Sequence, residues 1–290
     1  MIRIAASLAS VVLLAVLVGA RSPDAAEADP IRTAWLIAQA KGEAEAADAA
    51  LADAESRMRD ATDEARRGQA AVLTGTDRPT GALDAAAAGF ESAATPLAEA
   101  RASLERLGWT LRALGSGAAP PELRMEPSDA TDIGAQWRAA APPCEILFDL
   151  RLDAETTLEA LDDGLAALDA DDPAAALAAI EMAAATVDQM RQFTDSLATL
   201  GFWVDIVDAL IAAARDIALA AQAGDLAALA EAQAAYDAAA ADAGRADRAL
   251  AIALGEAAAQ ATGPAATSSA DALRAVIAAR DQVAGLSILR

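Results

Sequence analysis

The 290-residue chain contains no histidine. That absence excludes Ser-His-Asp and Cys-His catalysis, histidine-ligated zinc and c-type haem attachment, all of which need an imidazole. It also excludes the Glu-x-x-His ligand pairs of carboxylate di-iron bundles. Cysteine is nearly as scarce. Cys144 is the only one, so all-cysteine zinc sites, iron–sulfur clusters and an intramolecular disulfide are out of reach. Asparagine is missing, and with it any N-glycosylation sequon. Lysine occurs once, at Lys41, in a chain otherwise served by arginine; this is a bias of genome or habitat and marks no site.

Aromatic residues are also few: four Phe, four Trp and one Tyr. Alanine dominates instead. Alanine is the best helix former and loses no side-chain entropy on folding, whereas sheet cores favour β-branched and aromatic residues. Composition therefore predicts an all-α protein.

Positive charge is in short supply, and the net charge is −22. Residues 144–290 carry 8 basic and 24 acidic groups, −16; residues 29–115 carry 10 and 14, −4; residues 116–143 carry 2 and 4, −2. The acidity thus belongs to the C-terminal half. A field of that sign repels nucleic acid and anionic lipid, because phosphate binding needs clustered Lys and Arg. Such charge serves solubility or life in salt, or else offers a surface to cations or a basic partner.

The N-terminus reads as an export signal. Arg3 and the amino group precede the apolar run Leu8–Val18, and Val18-Gly19-Ala20 offers a cleavage point before Arg21. A second cut is available after Ala26-Glu27-Ala28. The competing reading is an uncleaved anchor, since Ile4–Ala20 is 17 uncharged residues, at the lower edge of what spans a bilayer. Lipoprotein attachment would need a cysteine at the cleavage point. Both readings put the chain outside the cytoplasm, secreted or envelope-associated. Residues 21–30 read as a short tether.

From Ile37 the residues Ala40, Ala44, Ala47, Leu51, Ala54, Met58, Ala61, Ala65, Gly68 and Val72 keep a spacing of three and four. This predicts one long helix with an alanine-rich seam. After the turn Gly75–Thr80 a second seam runs from Leu83 to Leu114, with Pro96 expected to kink it. Residues 31–115 are therefore expected to form a long helical hairpin. Residues 116–143, with Pro120, Pro121, Pro127, Gly134, Pro142 and Pro143, read as a linker that Trp137 docks. Residues 144–290 read as an acidic helical bundle. In it, Asp172-Pro173 starts a helix that passes Gly201 without losing register. Asp225 starts another, which Gly263-Pro264 stops. Ser268 or Ser269 caps a last short helix.

Few constellations tempt a chemical reading. Asp169, Asp171 and Asp172 resemble part of a calcium loop, but Pro173 breaks the pattern and leaves a capping turn. Asp149/Asp153 and Glu155/Glu159 are i,i+4 carboxylate pairs, which hold metals in some proteins and line solvated helix faces in most. Phe202, Trp203, Val207 and Ile211 belong to the densest apolar patch of the mature chain. They are core, or they line an apolar pocket or partner groove. Cys144 is a buried small hydrophobe or an intermolecular thiol.

The fold expected is an elongated antiparallel bundle of long helical hairpins with coiled-coil-like, alanine-rich seams. No catalytic residue, cofactor or metal site is expected. The function expected is a secreted or envelope-tethered structural or interaction protein that presents an acidic helical surface to a protein partner or to itself. The membrane enters only through the N-terminal segment. The alternative is an extracytoplasmic sensor or small-ligand-binding bundle with its pocket near Trp203; a carboxylate-based hydrolase comes third.

Overall fold

The computed structural model describes residues 30–286. The expected signal segment, residues 1–20, and the tether before Pro30 lie outside the described residues. Among the described residues all regular structure is helical: α1 (Pro30–Thr74), α2 (Pro79–Ala113), α3 (Pro127–Asp169), α4 (Pro173–Met190), a 3-10 turn (Arg191–Phe193), α5 (Ala198–Ala223) and α6 (Leu226–Ala284). No described helix is long and apolar enough to cross a membrane.

Four of the six α-helices begin on proline. The first turn has no use for the missing N–H, and the fixed φ already suits a helix. The α4 start adds a cap: Asp172 Oδ1 accepts from Ala175 N at 3.0 Å. At α6, Asp225 Oδ1 accepts from Ala227 N at 3.0 Å and Ala228 N at 3.1 Å. Gly224 closes α5 at φ 67°, in the left-handed region that only glycine enters without strain.

The chain divides into two compact units. The first comprises Met1–Glu64, Ala85–Trp137 and Ala265–Arg290; the second comprises Ala65–Asp84 and Arg138–Pro264. In the first, α1 and α2 run in opposite directions. Glu43 meets Arg106 at 2.8 Å, Arg57 reaches Ser92, and Ala61 faces Gly89. The anticipated α1 seam is buried at Ala40, Ala44, Ala47, Leu51, Ala54, Met58 and Ala61. Trp137 of α3 is buried and donates through Nε1 to Ser269 Oγ of α6 at 3.0 Å. Charge also ties α1 to α6 here: Arg280 donates to Asp48 and to the buried Glu55, each at 3.0 Å.

The second unit packs Leu150, Ala154 and Leu161 of α3 against Ile180 and Val187 of α4. Leu200, Trp203, Val207 and Leu210 of α5 and Leu250 and Leu254 of α6 complete this core.

Three expectations about breaks were wrong. Residues 116–143 do not form a linker: α3 starts at Pro127 and runs through Gly134, Pro142 and Pro143. Each internal proline costs about 3 kcal/mol. Burial of Cys144, Phe148 and Leu150 on the following turns offsets this, at roughly 1.5–3 kcal/mol for each large side chain. Likewise α6 does not stop at Gly263-Pro264 but continues to Ala284, because Ala258, Thr262, Ala265 and Ser269 are buried on both sides. Ser269 is therefore an interior helical residue; it donates to Ala265 O at 2.7 Å and caps nothing. Finally, residues 173–223 are not one helix. The break falls at residues 191–197, upstream of Gly201. There Arg191 O accepts from the Thr194 hydroxyl at 2.8 Å, and Leu197 is extended with ψ 91°. Local polar side chains compete with the helical ladder in that stretch.

Pro96 does lie inside α2. Its missing N–H leaves the Ser92 carbonyl without its helical donor, and Arg57 Nη1 donates to that oxygen from α1 at 3.3 Å.

Glycines mark how close the helices come. A Cβ on Gly89 would stand 2.7 Å from the Ala61 side chain, and one on Gly134 would stand 2.8 Å from the Ala87 carbonyl, whereas Gly42 has nothing within 4 Å. Gly89→Ala is thus expected to destabilise by about 1–3 kcal/mol through overpacking, although alanine is the better helix former. Gly42→Ala is expected to stabilise by roughly 0.5–1 kcal/mol. Urea unfolding of both variants checks the opposite signs.

Candidate functional site

The apolar patch around Trp203 divides between core and surface. Trp203, Val207 and Ile211 are buried in the core of the second unit, Trp203 at 1% exposure, while Phe202 is 52% exposed on the outer face of α5. The four residues do not converge on one space. Periodicity explains the split: adjacent residues on a helix are about 100° apart, so Phe202 and Trp203 cannot both face inward.

The carboxylates in the middle of α3 meet the turn between α1 and α2 and the first residues of α2. Arg78 pairs with Glu145 and reaches Asp149 at 3.3 Å, with its guanidinium 5.6 Å from the Phe148 ring centroid. Thr80 donates its hydroxyl to Glu145. Burial pushes the Glu145 carboxyl up, but the hydrogen bonds from Thr80 and Arg78 outweigh that and hold it below its ordinary value. Burial pushes Asp153 up, and the charge of Asp149 adds to it. Glu155 pairs with Arg151 at 2.6 Å. Glu159 is exposed.

Cys144 lies in the same turn of α3, fully buried and free, and burial raises its thiol to about 11. Such a thiol is protonated at neutral pH and is a poor nucleophile. Its position favours the small-hydrophobe reading over intermolecular pairing. Asp169, Asp171 and Asp172 form the connection to α4, with Asp171 at φ 60° and Asp172 as the cap. Among the described residues, no group of three or more histidine, cysteine, aspartate or glutamate side chains is arranged to hold a metal ion.

No protein-family model, curated protein or solved structure matches the chain.

Two surface features remain once the core is assigned. One is charge. The described residues of the second unit carry 9 basic and 24 acidic groups, −15, and those of the first carry 10 and 17, −7. In the second unit arginines are drawn into local pairs: Arg215 with Glu181 at 2.8 Å, and Arg191 with Asp188 at 3.1 Å and with Asp208. Glu159, Asp162 and Asp163 stand exposed on α3 with no cationic partner among the described residues. Of the three, Asp162 acts on Tyr236, whose hydroxyl is pushed up by burial and then by the charges of Asp162 and Asp237.

The other feature is apolar, and periodicity passed over it. Trp35 and Trp109 are 62% and 72% exposed. Each sits two residues from a seam position (Ile37 and Leu107) and so points away from the core. Beside Trp109 lies an open groove of about 690 Å³ between α2 and residues 120–126, with Arg101, Leu104, Gly108 and Arg112 along its wall. The Arg112 guanidinium stacks 4.9 Å from the Trp109 ring centroid and donates through Nε to Gly108 O at 3.1 Å.

The Arg78–Glu145 tie generates a pH dependence. A carboxyl held below its ordinary value stabilises the fold at neutral pH, and that contribution disappears as pH falls from about 4.3 through the lower folded value. Glu145→Gln is expected to cost about 0.5–1 kcal/mol at pH 7, discounted for the exposure of Arg78, and progressively less below pH 4. Urea midpoints of wild type and variant across pH 2–7 check the convergence.

Proposed function

We propose that the chain is exported and works without catalysis, as a structural or interaction protein of the cell envelope or its surroundings, offering the acidic helices of the second unit to a basic partner. The observation that carries this is the segregation of charge: −15 on the described residues of one unit, with Glu159, Asp162 and Asp163 exposed and without a cationic partner among the described residues. Such a surface steers a basic partner and rejects nucleic acid. Supporting it, the lone thiol is buried, and Trp203, Val207 and Ile211 are packed against core side chains.

The finer architecture belongs to the same proposal: an elongated antiparallel bundle of long hairpins with coiled-coil-like seams. In support stand the buried three-and-four spacing of α1 and the 45, 35, 43 and 59 residues of α1, α2, α3 and α6. Export is supported by the charged start, apolar run and small-residue junction of residues 1–20.

Protease added to intact cells or spheroplasts is expected to digest the chain, and deletion of residues 2–20 is expected to protect it. Equal protection of both forms would overturn export. For the acidic surface, the chain from Arg21 is expected to bind an arginine-rich peptide in a salt-dependent manner. Joint neutralisation of Glu159, Asp162 and Asp163 is expected to weaken that binding severalfold; unchanged binding contradicts the assignment.

A further inference from the structure

We infer that the end of the first unit carrying Trp35 and Trp109 is a membrane-surface contact, seated on the bilayer beside the apolar segment that precedes it in the chain. This inference rests on the export proposal and names the surface the exported chain meets.

Three observations converge. First, the two exposed tryptophans belong to the same end of the unit. In the register set by Glu43–Arg106 and Ala61–Gly89, Trp109 lies level with Lys41 and Trp35 lies level with Gly115, just past the end of α2. Ile31, one turn before Trp35, is 78% exposed. Tryptophan is the side chain best suited to the headgroup layer, where an apolar body and a polar N–H are both satisfied.

Second, the tether is short. Nine residues separate Ala20 from Pro30, a reach of at most about 36 Å when fully extended. A bilayer holding residues 4–20 would therefore lie within that distance of the start of α1.

Third, the local charge permits approach. Residues 30–45 and 101–126 together carry six basic and five acidic groups, +1, in a chain of net −22. Arg112, stacked on Trp109, has no carboxylate partner among the described residues, so its remaining guanidinium N–H groups are available to a lipid phosphate. The second unit, by contrast, is repelled by anionic lipid.

The distribution of tryptophans supplies the test. Trp137 and Trp203 are each 1% exposed, and residues 1–29 contain no aromatic residue. Insertion of the N-terminal segment alone therefore quenches nothing. The full chain would be reconstituted into phosphatidylcholine–phosphatidylglycerol vesicles whose acyl chains carry bromine near the headgroup. Relative to unbrominated vesicles its emission is expected to fall by up to half, since two of the four tryptophans are accessible. The W35F/W109F variant, folded as judged by circular dichroism, is expected to lose that fall. No quenching of the wild type, or equal quenching of the double variant, would overturn the inference. So would a second copy covering the patch, seen as a dimer by light scattering with no lipid quenching. Failure of export in cells is read by protease and leaves the vesicle measurement intact, so the two failures are distinguishable.

Discussion

Close approach of helix backbones is the constraint on which the rest of the molecule depends. With nine aromatic residues in the whole chain, the core cannot be filled by large side chains and must be closed by drawing helices together. Gly89 against Ala61 and Gly134 against the Ala87 carbonyl show how little room is left in the first unit, and Gly164 against Ile180 shows the same in the second. Small side chains gain little each, about 0.8 kcal/mol per buried methylene-sized group, so many must be aligned. Long helices with an unbroken seam supply that alignment. The same logic lets prolines sit inside α2, α3 and α6: once both flanking turns are buried, the loss of one backbone bond does not end the helix. Where the loss is repaired in detail, as at Ser92, the donor is an arginine from the neighbouring helix.

Arginine is the working cation throughout. Arg57, Arg78, Arg191 and Arg280 each join separate elements or neighbouring turns, and each finds two acceptors. A planar fork with five donors does this where lysine's point charge would not. Because Arg78 and Arg191 of the second unit are spent on internal ties, the acidic excess of that unit stays at its surface.

The helical class and the seams were legible in the sequence because a three-and-four spacing over many turns has few other meanings. The caps at Asp172 and Asp225 were legible for the same reason: their signals are local. The breaks were misjudged where tertiary burial overrules a local rule. Pro142-Pro143 and Gly263-Pro264 look like stops until the buried turns around them are known, while Thr194–Leu197 carries no glycine or proline and still interrupts the helix. At the candidate sites, the Trp203 patch looked continuous because adjacency in sequence hides the rotation between neighbours. Trp35 and Trp109 escaped notice because no periodic pattern includes them; only exposure reveals them.

If packing at small-residue seams, and not alanine's own helicity, holds this protein together, then of two alanine-rich stretches the one with less alanine, 8 of 18 residues against 11 of 20, must be the more stable. Residues 44–61 of α1 carry the buried seam, whereas in residues 226–245 of α6 only Ala232 is buried. Native-state amide hydrogen exchange read by mass spectrometry compares them directly. The account predicts that residues 44–61 exchange at least about a thousandfold more slowly than residues 226–245. Equal protection of the two segments would contradict it.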